Sequence, residues 1–381
     1  MKILFVDQSG KLGGAELSLT DVANPYRADC LIALFADGPF REWLEQKHIP
    51  VKVIANAGIS VSKDSGLWTS LTSIKSLIPI ISEVVGLARE YNLIYANTQK
   101  ALVVGAIASF FSRRPLVYHL RDILSPEHFS STNRKIAVIS ANRFASLVIA
   151  NSQATKAAFV AAGGRPEIIE LVYNGFEPQN YQISDYQVNK IRERLELEGK
   201  FVVGHFSRLA PWKGQHILIE AIAQSPENVT ALLVGDALFG EQDYVQELHQ
   251  QVNRLGLQDR VKFLGFRSDI PQLMSACDLV AHTSTAPEPF GRVIIEAMLC
   301  GTTVVAAKAG GAVELVNSGI NGFLVTPGEP QELADVILSC RNHREKTAAI
   351  ANFARKNASD KFNLATTNQQ IAQLLGRIIK E

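Results

Sequence analysis

Short apolar runs rich in β-branched residues recur along the chain, each bounded by polar or turn-forming residues. In the first half they are KILFVD (2–7), CLIALF (30–35), LIYAN (93–97), LVYHL (116–120), LVIAN (147–151) and IELVYN (169–174). Runs of this length, apolar on both faces, are the signature of buried parallel strands. Amphipathic stretches such as 133–146 and 153–162 lie between them and predict helices. Strand and helix in alternation give a parallel sheet covered on both faces. The pattern restarts at GKFVVGHFS (199–207) and continues through VTALLVG, VKFLGF, DLVAHT, TTVVAA and GFLVT. The expectation is an α/β chain of two tandem Rossmann-like domains, residues 1–178 and 190–360. The polar stretch around 175–190 is their linker. The last segment, TTNQQIAQLLGRIIKE, reads as an amphipathic helix (365–381) that packs back on the first domain. Ligands of such sheets sit beyond the carboxyl ends of the strands, so two facing sheets enclose one deep cleft.

Composition narrows the class. At 381 residues and 47% hydrophobic content the chain is too long for one typical domain and too apolar for disorder. A net charge of +1 gives no global field for nucleic acid. Cys30, Cys277, Cys300 and Cys340 show no paired or metal-type spacing, which points to reduced core thiols in a cytoplasmic protein. The opening MKILFVDQSG fits a first strand better than a signal peptide. The longest clean apolar run, ALVVGAIASFF, has 11 residues, against the ~20 that a membrane span needs. Charge is uneven locally. Between Lys100 and Arg165 nine basic residues face only Asp122 and Glu127, a local net of +7. That is either a set of ordinary helix surfaces or a face for anionic lipid or an anionic acceptor.

The candidate chemistry lies just after the strands. Gly13 and Gly14 follow the first strand and open a helical pattern, where free N–H groups and a bare backbone suit a phosphate or a tight turn. His119 ends a strand beside Arg121 and Asp122, as a structural histidine or a proton handler. Arg208 and Lys213 flank a Pro-Trp turn at a helix start, two cations suited to a diphosphate. In LGFRSDI (264–270) a strand turns into a helix, with Ser268 or Asp269 as N-cap and backbone that could read a base. In PEPFGRVIIEAM, Glu288 precedes a helix expected to begin near Phe290, and Glu296 lies nearly two turns inside among apolar residues. A carboxylate there is costly unless hydrogen-bonded. Ribose hydroxyls or a local arginine would satisfy it. Gly310 and Gly311, then Glu314, follow another strand. There is no DxD pair for Mg²⁺, no HExxH, no GxSxG and no Cys/His metal spacing.

Taken in order, these stretches resemble the retaining, nucleotide-sugar-dependent glycosyltransferases of family 4, which have the GT-B fold. Glu288 and Glu296 match the family's E-x7-E motif, and FSRLAPWKGQ is similar to its diphosphate-binding segment. GGAE (13–16), VIANSQATKAAF (148–159), VYNGFE (172–177) and AGGAVELV with NGFLV are similar to further signature stretches. The resemblance implies that Glu288 holds a donor-sugar hydroxyl beside the Phe290 and Gly291 amides, and that Glu296 takes the ribose. Arg208 and Lys213 would take the diphosphate. Phe266 and Arg267 would meet the base, and Gly13 and Gly14 the donor phosphate. His119 would lie near the sugar and the leaving oxygen. Val293 and Arg292 fall in the same donor-binding stretch, although Arg292 is larger than expected there. The loop GDALFGEQDY departs from a simple Gly-Asp-Gly form, so no contact is carried to Asp236.

The function implied is transfer of a hexose-type sugar from a nucleoside diphosphate, UDP-glucose favoured, to a saccharide or lipid-linked saccharide. It would need neither metal nor cofactor. The protein would be cytoplasmic, with peripheral contact at an anionic inner membrane face, monomeric or homodimeric, and without a nucleic-acid partner. A GT-B nucleotide-sugar epimerase and a non-catalytic nucleotide-sugar binder are the alternatives. A dinucleotide oxidoreductase would need GxGxxG, which neither half has.

Overall fold

The structure, a computed structural model, describes residues 1–54, 71–238 and 240–380; side chains of 71–76 and 380 are outside the description. Phe239 in the GDALFGEQDY loop and Glu381 at the end of the expected last helix also lie outside it. The chain divides into two compact units, Met1–Gly175 with Leu364–Glu381, and Phe176–Asn363.

Unit 1 is built on a seven-stranded sheet: β1 (Ile3–Asp7), β2 (Cys30–Leu34), β3 (Val51–Val53), β4 (Leu93–Ala96), β5 (Leu116–Leu120), β6 (Ala145–Ala150) and β7 (Ile169–Leu171), in the order β3-β2-β1-β4-β5-β6-β7. Every pairing is parallel; Ile3 stands opposite Cys30 on one side and Leu93 on the other. Alternation along β1 divides the core. Ile3 and Phe5 join a cluster on one face with Leu93, Tyr95 and Val117, and Leu4 and Val6 join another with Ile94, Ala96 and Tyr118. This period of two, apolar on both faces, is why the strands read as continuous apolar runs. β3, three residues at the edge, is too short to stand out in the sequence. The helix expected over 133–146 spans Ser131–Phe144, because β6 already begins at Ala145.

Unit 2 has β8 (Phe201–Phe206), β9 (Val229–Val234), β10 (Val261–Gly265), β11 (Leu279–His282), β12 (Thr303–Ala307) and β13 (Phe323–Val325), all parallel, in the order β10-β9-β8-β11-β12-β13. The stretch expected as a linker is divided. Gly175 closes unit 1, while the turn Pro178–Tyr181 and the helix Asp185–Arg194 belong to unit 2. Ser184 and Gln187 form a capping box, so this polar segment starts a helix instead of trailing as coil. Unit 2 closes where Phe176 N–H donates to Phe362 O (2.8 Å). The final helix Leu364–Lys380 then joins unit 1, with Ile371 and Leu375 buried in its core and Asn368 donating to Asp21 O (3.1 Å).

Candidate functional site

In unit 2 the strand order reverses between β8 and β11, and the loops leaving these two strands meet there, where open α/β sheets bind ligands. β8 runs into Ser207, Arg208 and the turn Pro211–Lys213. Gly214 then takes a left-handed conformation (φ +73°) and the helix Gln215–Ala223 begins. A Cβ on Gly214 would stand 2.0 Å from Thr283 O, so only glycine lets the two loops close on each other. Two buried polar side chains, Thr283 and His205, fasten them, and a third, Gln215, fixes the first loop. Gln215 donates to Arg208 O and Ser207 Oγ, both at 2.9 Å. The Thr283 hydroxyl donates to Gly214 O at 2.8 Å. His205 Nε2 lies 3.2 Å from Lys213 O and 3.0 Å from Thr283 Oγ1. Burial, and then the nearby His282, push His205 down to about 3, so it is neutral and acts as a fixed donor.

Lys213 and Glu288 form the centre of this site. The Lys213 ammonium sits 2.7 and 2.9 Å from the two Glu288 oxygens, with side chains only 15% and 14% exposed. Ser284 Oγ donates to Glu288 at 3.0 Å, and His282 Nε2 lies 3.3 Å away. Burial would raise the Glu288 carboxyl, but Lys213 and His282 more than offset it and hold it well below the usual carboxylate range. The Lys213 ammonium also lies 4.0 Å from the Trp212 ring centre, and the Arg208 guanidinium 5.8 Å from it. Arg208 stands 3.7 Å from Glu241, in the loop after β9. Two cations and a carboxylate are thus brought together.

The next helix begins later than expected. It spans Arg292–Leu299, capped by Gly291 at φ +91°, a conformation that Phe290 could not extend into a helical turn. Phe290 is 2% exposed and packs on Phe176 and Phe362, so its ring anchors the loop and only its backbone could serve a ligand. Glu296 is half-buried: Ile294, Ile295, Ala297 and Met298 face the core while Glu296 and Val293 do not. Arg292 donates to Glu296 (3.2 Å) and lies 4.6 Å over Phe176. The local arginine therefore satisfies the acid in this state. The diglycine after β12 admits the chain's own backbone: a Cβ on Gly310 would meet Glu288 O at 2.3 Å, and Gly311 N–H donates to Glu288 O at 2.7 Å. Phe266, after β10, is 68% exposed and open to stacking. Arg267 is held by Asp269 (2.7 Å), so Asp269 caps its helix without a side-chain bond and Ser268 is not the cap.

In unit 1 the helix Gly14–Ala23 starts at Gly14 with Gly13 as an extended N-cap. A Cβ on Gly13 would meet Glu16 Oε2 at 2.9 Å, so the glycine makes room for a carboxylate of its own helix. The switch point here, between β1 and β4, holds a buried polar network. Asp7 accepts from Asn97 (2.6 Å), Asn97 Oδ1 accepts from Arg121 (2.5 Å), and Arg121 also donates to Asn174 (3.0 Å). His119 is 2% exposed, inside the unit and not at its rim. Its Nδ1 accepts from Tyr95 OH and Arg121, which places the proton on Nε2; burial and the Arg121 charge hold it well below the usual histidine range. Burial raises Asp7 to about 6, and burial with the neighbouring Asp7 raises Glu16 to about 8.

Sequence reading missed His205, His282, Thr283, Ser284, Gln215 and Glu241. The HTS triplet (282–284), four residues before Glu288 at its near end, offered a signal. Asp7 and Glu16 lay inside quoted motifs, but their pairing needs the fold. Among the described residues no group of three or more His, Cys, Asp or Glu is placed to hold a metal, and the four cysteines are free thiols.

Comparison with known proteins fits these two halves. Residues 12–180 match the family model described as Glycosyltransferase Family 4, and residues 187–357 match Glycosyl transferases group 1. The Anabaena protein Alr3699/HepE is 64% identical over 99% of this chain and 100% of that one, with TM-scores of 0.91–0.93. The chain belongs to glycosyltransferase family 4. Its two parallel-sheet units are those of the GT-B fold. HepE has been crystallised with UDP, with UDP-glucose, and with UDP and glucose. Spore coat protein SA of Bacillus subtilis is 32% identical over 45% of this chain and 48% of its own length. The chain spans about half the length of several of the curated relatives it matches. CapM of Staphylococcus aureus, a capsular polysaccharide biosynthesis glycosyltransferase, is matched more fully: 24% identical over 89% of this chain and 93% of that protein.

Proposed function

We propose that the protein moves a sugar from a UDP-sugar, with UDP-glucose as the favoured donor, to a saccharide or lipid-linked saccharide acceptor, with retention and without a metal. The observation that carries this is the Lys213–Glu288 pair with Arg208 alongside, at the switch point of unit 2. A diphosphate entering here competes with Glu288 for the Lys213 ammonium. Lys213 and Arg208 then hold the phosphates, and Glu288, already ionised, turns to a sugar hydroxyl. Glu296 exchanges Arg292 for the ribose hydroxyls, and the open Phe266 ring stacks on the base. The bond from the anomeric carbon to the β-phosphate oxygen breaks with its electron pair on the phosphate. The acceptor oxygen bonds to the same face of that carbon, and its proton goes to the departing phosphate. The protein's main contribution is to stabilise charge on the leaving group, which Lys213 and Arg208 supply once the diphosphate has displaced Glu288. The complexes of HepE support the donor assignment, and the name of CapM supports a saccharide acceptor.

A thermal-shift panel of UDP, GDP, ADP and their glucose conjugates tests the donor. A ligand at 100 times its Kd adds about 2.7 kcal/mol to the folded state. UDP and UDP-glucose are expected to raise the midpoint and the purine nucleotides are not. Equal shifts across the panel, or none with UDP, reject the assignment.

A further inference from the structure

Two neighbouring helices of unit 1 carry Phe110, Phe111 and Ile139 in solvent. Phe110 and Phe111, at the end of the helix Gln99–Ser112, are 67% and 61% exposed, and Ile139, on the helix Ser131–Phe144, is 65% exposed. Phe110 meets Phe111 edge-on at 5.3 Å and Phe144 at 6.5 Å, so the ends of the two helices form one surface. Cations border it. Lys135, Ile139 and Arg143 recur every four residues on the exposed face of the second helix, and Arg113 follows the phenylalanines. Arg114 lies beside Arg89, its side chain donating to Arg89 O. Of the nine basic residues in 100–165, Lys100 and Arg121 are buried, so Arg113, Lys135 and Arg143 supply the exposed charge here.

We propose that this surface docks on an anionic lipid bilayer, the rings entering the headgroup region and Arg113, Lys135 and Arg143 pairing with anionic headgroups. Aromatic side chains ringed by basic ones bind such interfaces through both terms at once. Contact is peripheral, since no helix among the described residues is long and apolar enough to span a membrane. A second copy of the chain is the poorer occupant: a two-fold interface centred here would set the same three cations of each copy against each other. Both helices follow strands of one parallel sheet and end at its amino edge. Docking therefore leaves free the carboxyl edge, where Asp7, Glu16 and Arg121 gather. The proposal does not depend on the donor assignment.

The test is co-sedimentation of the full chain with vesicles of phosphatidylcholine alone and with phosphatidylglycerol, at about 0.1 M and about 1 M salt, where the Debye length falls from about 10 to about 3 Å. Binding is expected only to the anionic vesicles and is expected to weaken at high salt. Each of Arg113→Glu, Lys135→Glu and Arg143→Glu should cut the partition coefficient about fivefold or more. Phe110→Ser with Phe111→Ser should cut it at both salts while leaving the thermal midpoint unchanged. Lys346→Glu with Lys356→Glu, exposed in unit 2, should bind as the native chain does. Three results overturn the proposal: no binding to anionic vesicles; variants that bind like the native chain; or binding of a single-stranded oligonucleotide, or concentration-dependent dimerisation, that the phenylalanine variants abolish while vesicles fail to pellet the protein.

Discussion

At the scale of single residues, two ion pairs join the groups to which the proposed donor would bind. Lys213 is held by Glu288 and Glu296 by Arg292, and in each pair one member suits a phosphate or a hydroxyl. Removing one preorganised charge donor typically costs about 100- to 1,000-fold in rate. Lys213→Ala should lower turnover by about that factor, measured as release of nucleoside diphosphate; a rate within twofold of the native enzyme sinks the role. His119, read from its sequence position as a structural histidine or a proton handler, is buried with Tyr95 and Arg121 both on its Nδ1. Glu16 and Asp7 make unit 1 sensitive to pH. Their folded pKa values, about 8 and about 6, lie above those of the unfolded chain. The native state therefore holds protons that the unfolded state has released, and stability falls as pH rises from about 4.5 to 8, by at most about 1.4 kcal/mol per unit for each proton. Glu16→Gln should raise the melting midpoint at pH 8 and leave it nearly unchanged at pH 5. An equal effect at both values contradicts the raised carboxyl.

At the scale of elements, strands were legible because buried parallel strands are apolar on both faces, and the order of their terminal loops followed. Helix starts were less so. The Arg292 helix begins after Gly291 because of a left-handed backbone that composition does not show, and the Asp185 helix hides in a polar stretch because a capping box supplies its start. Arg208, Lys213 and Glu288 were visible as charges beside strand ends. Thr283 and His205, which bind the loops together, and Gln215, which fixes the first of them, resemble ordinary polar residues until the strands are placed side by side. Gly214 offers a test of that fastening. Gly214 and Gly256 both sit at positive φ, +73° and +66°, so alanine strains the backbone at each by about 1–2 kcal/mol. Only at Gly214 does the new Cβ also meet a carbonyl, Thr283 O at 2.0 Å; around Gly256 nothing lies within 4 Å. Denaturant midpoints should show Gly214→Ala costing clearly more than Gly256→Ala, and only Gly214→Ala should reduce turnover. Equal costs would mean that the two loops are not closed on each other.

At the scale of the whole molecule, the chain makes one unit, then the second, and returns to the first. The return was legible in the amphipathic period of the last segment, while the crossing itself was not, since Phe176 and Phe362 meet through a backbone hydrogen bond between residues 186 apart in numbering. The consequence is that unit 1 is discontinuous: its core takes Ile371 and Leu375, 1% and 0% exposed, from beyond unit 2. Emptying a core site of one Leu or Ile costs about 2–5 kcal/mol, and a whole domain holds only about 5–15. Deleting residues 364–381 therefore removes a large part of what stabilises unit 1 and no residue of unit 2. Hydrogen exchange read by mass spectrometry separates the two without assuming a single transition. In the shortened chain, peptides covering β1, β4 and β5 should lose their protection, while those covering β8, β9 and β11 keep it and still gain protection on adding UDP. Unchanged protection in β1 and β4 would show that the last helix is dispensable to unit 1, and loss in both units would show that the division at Gly175 and Leu364 does not mark independent folding units.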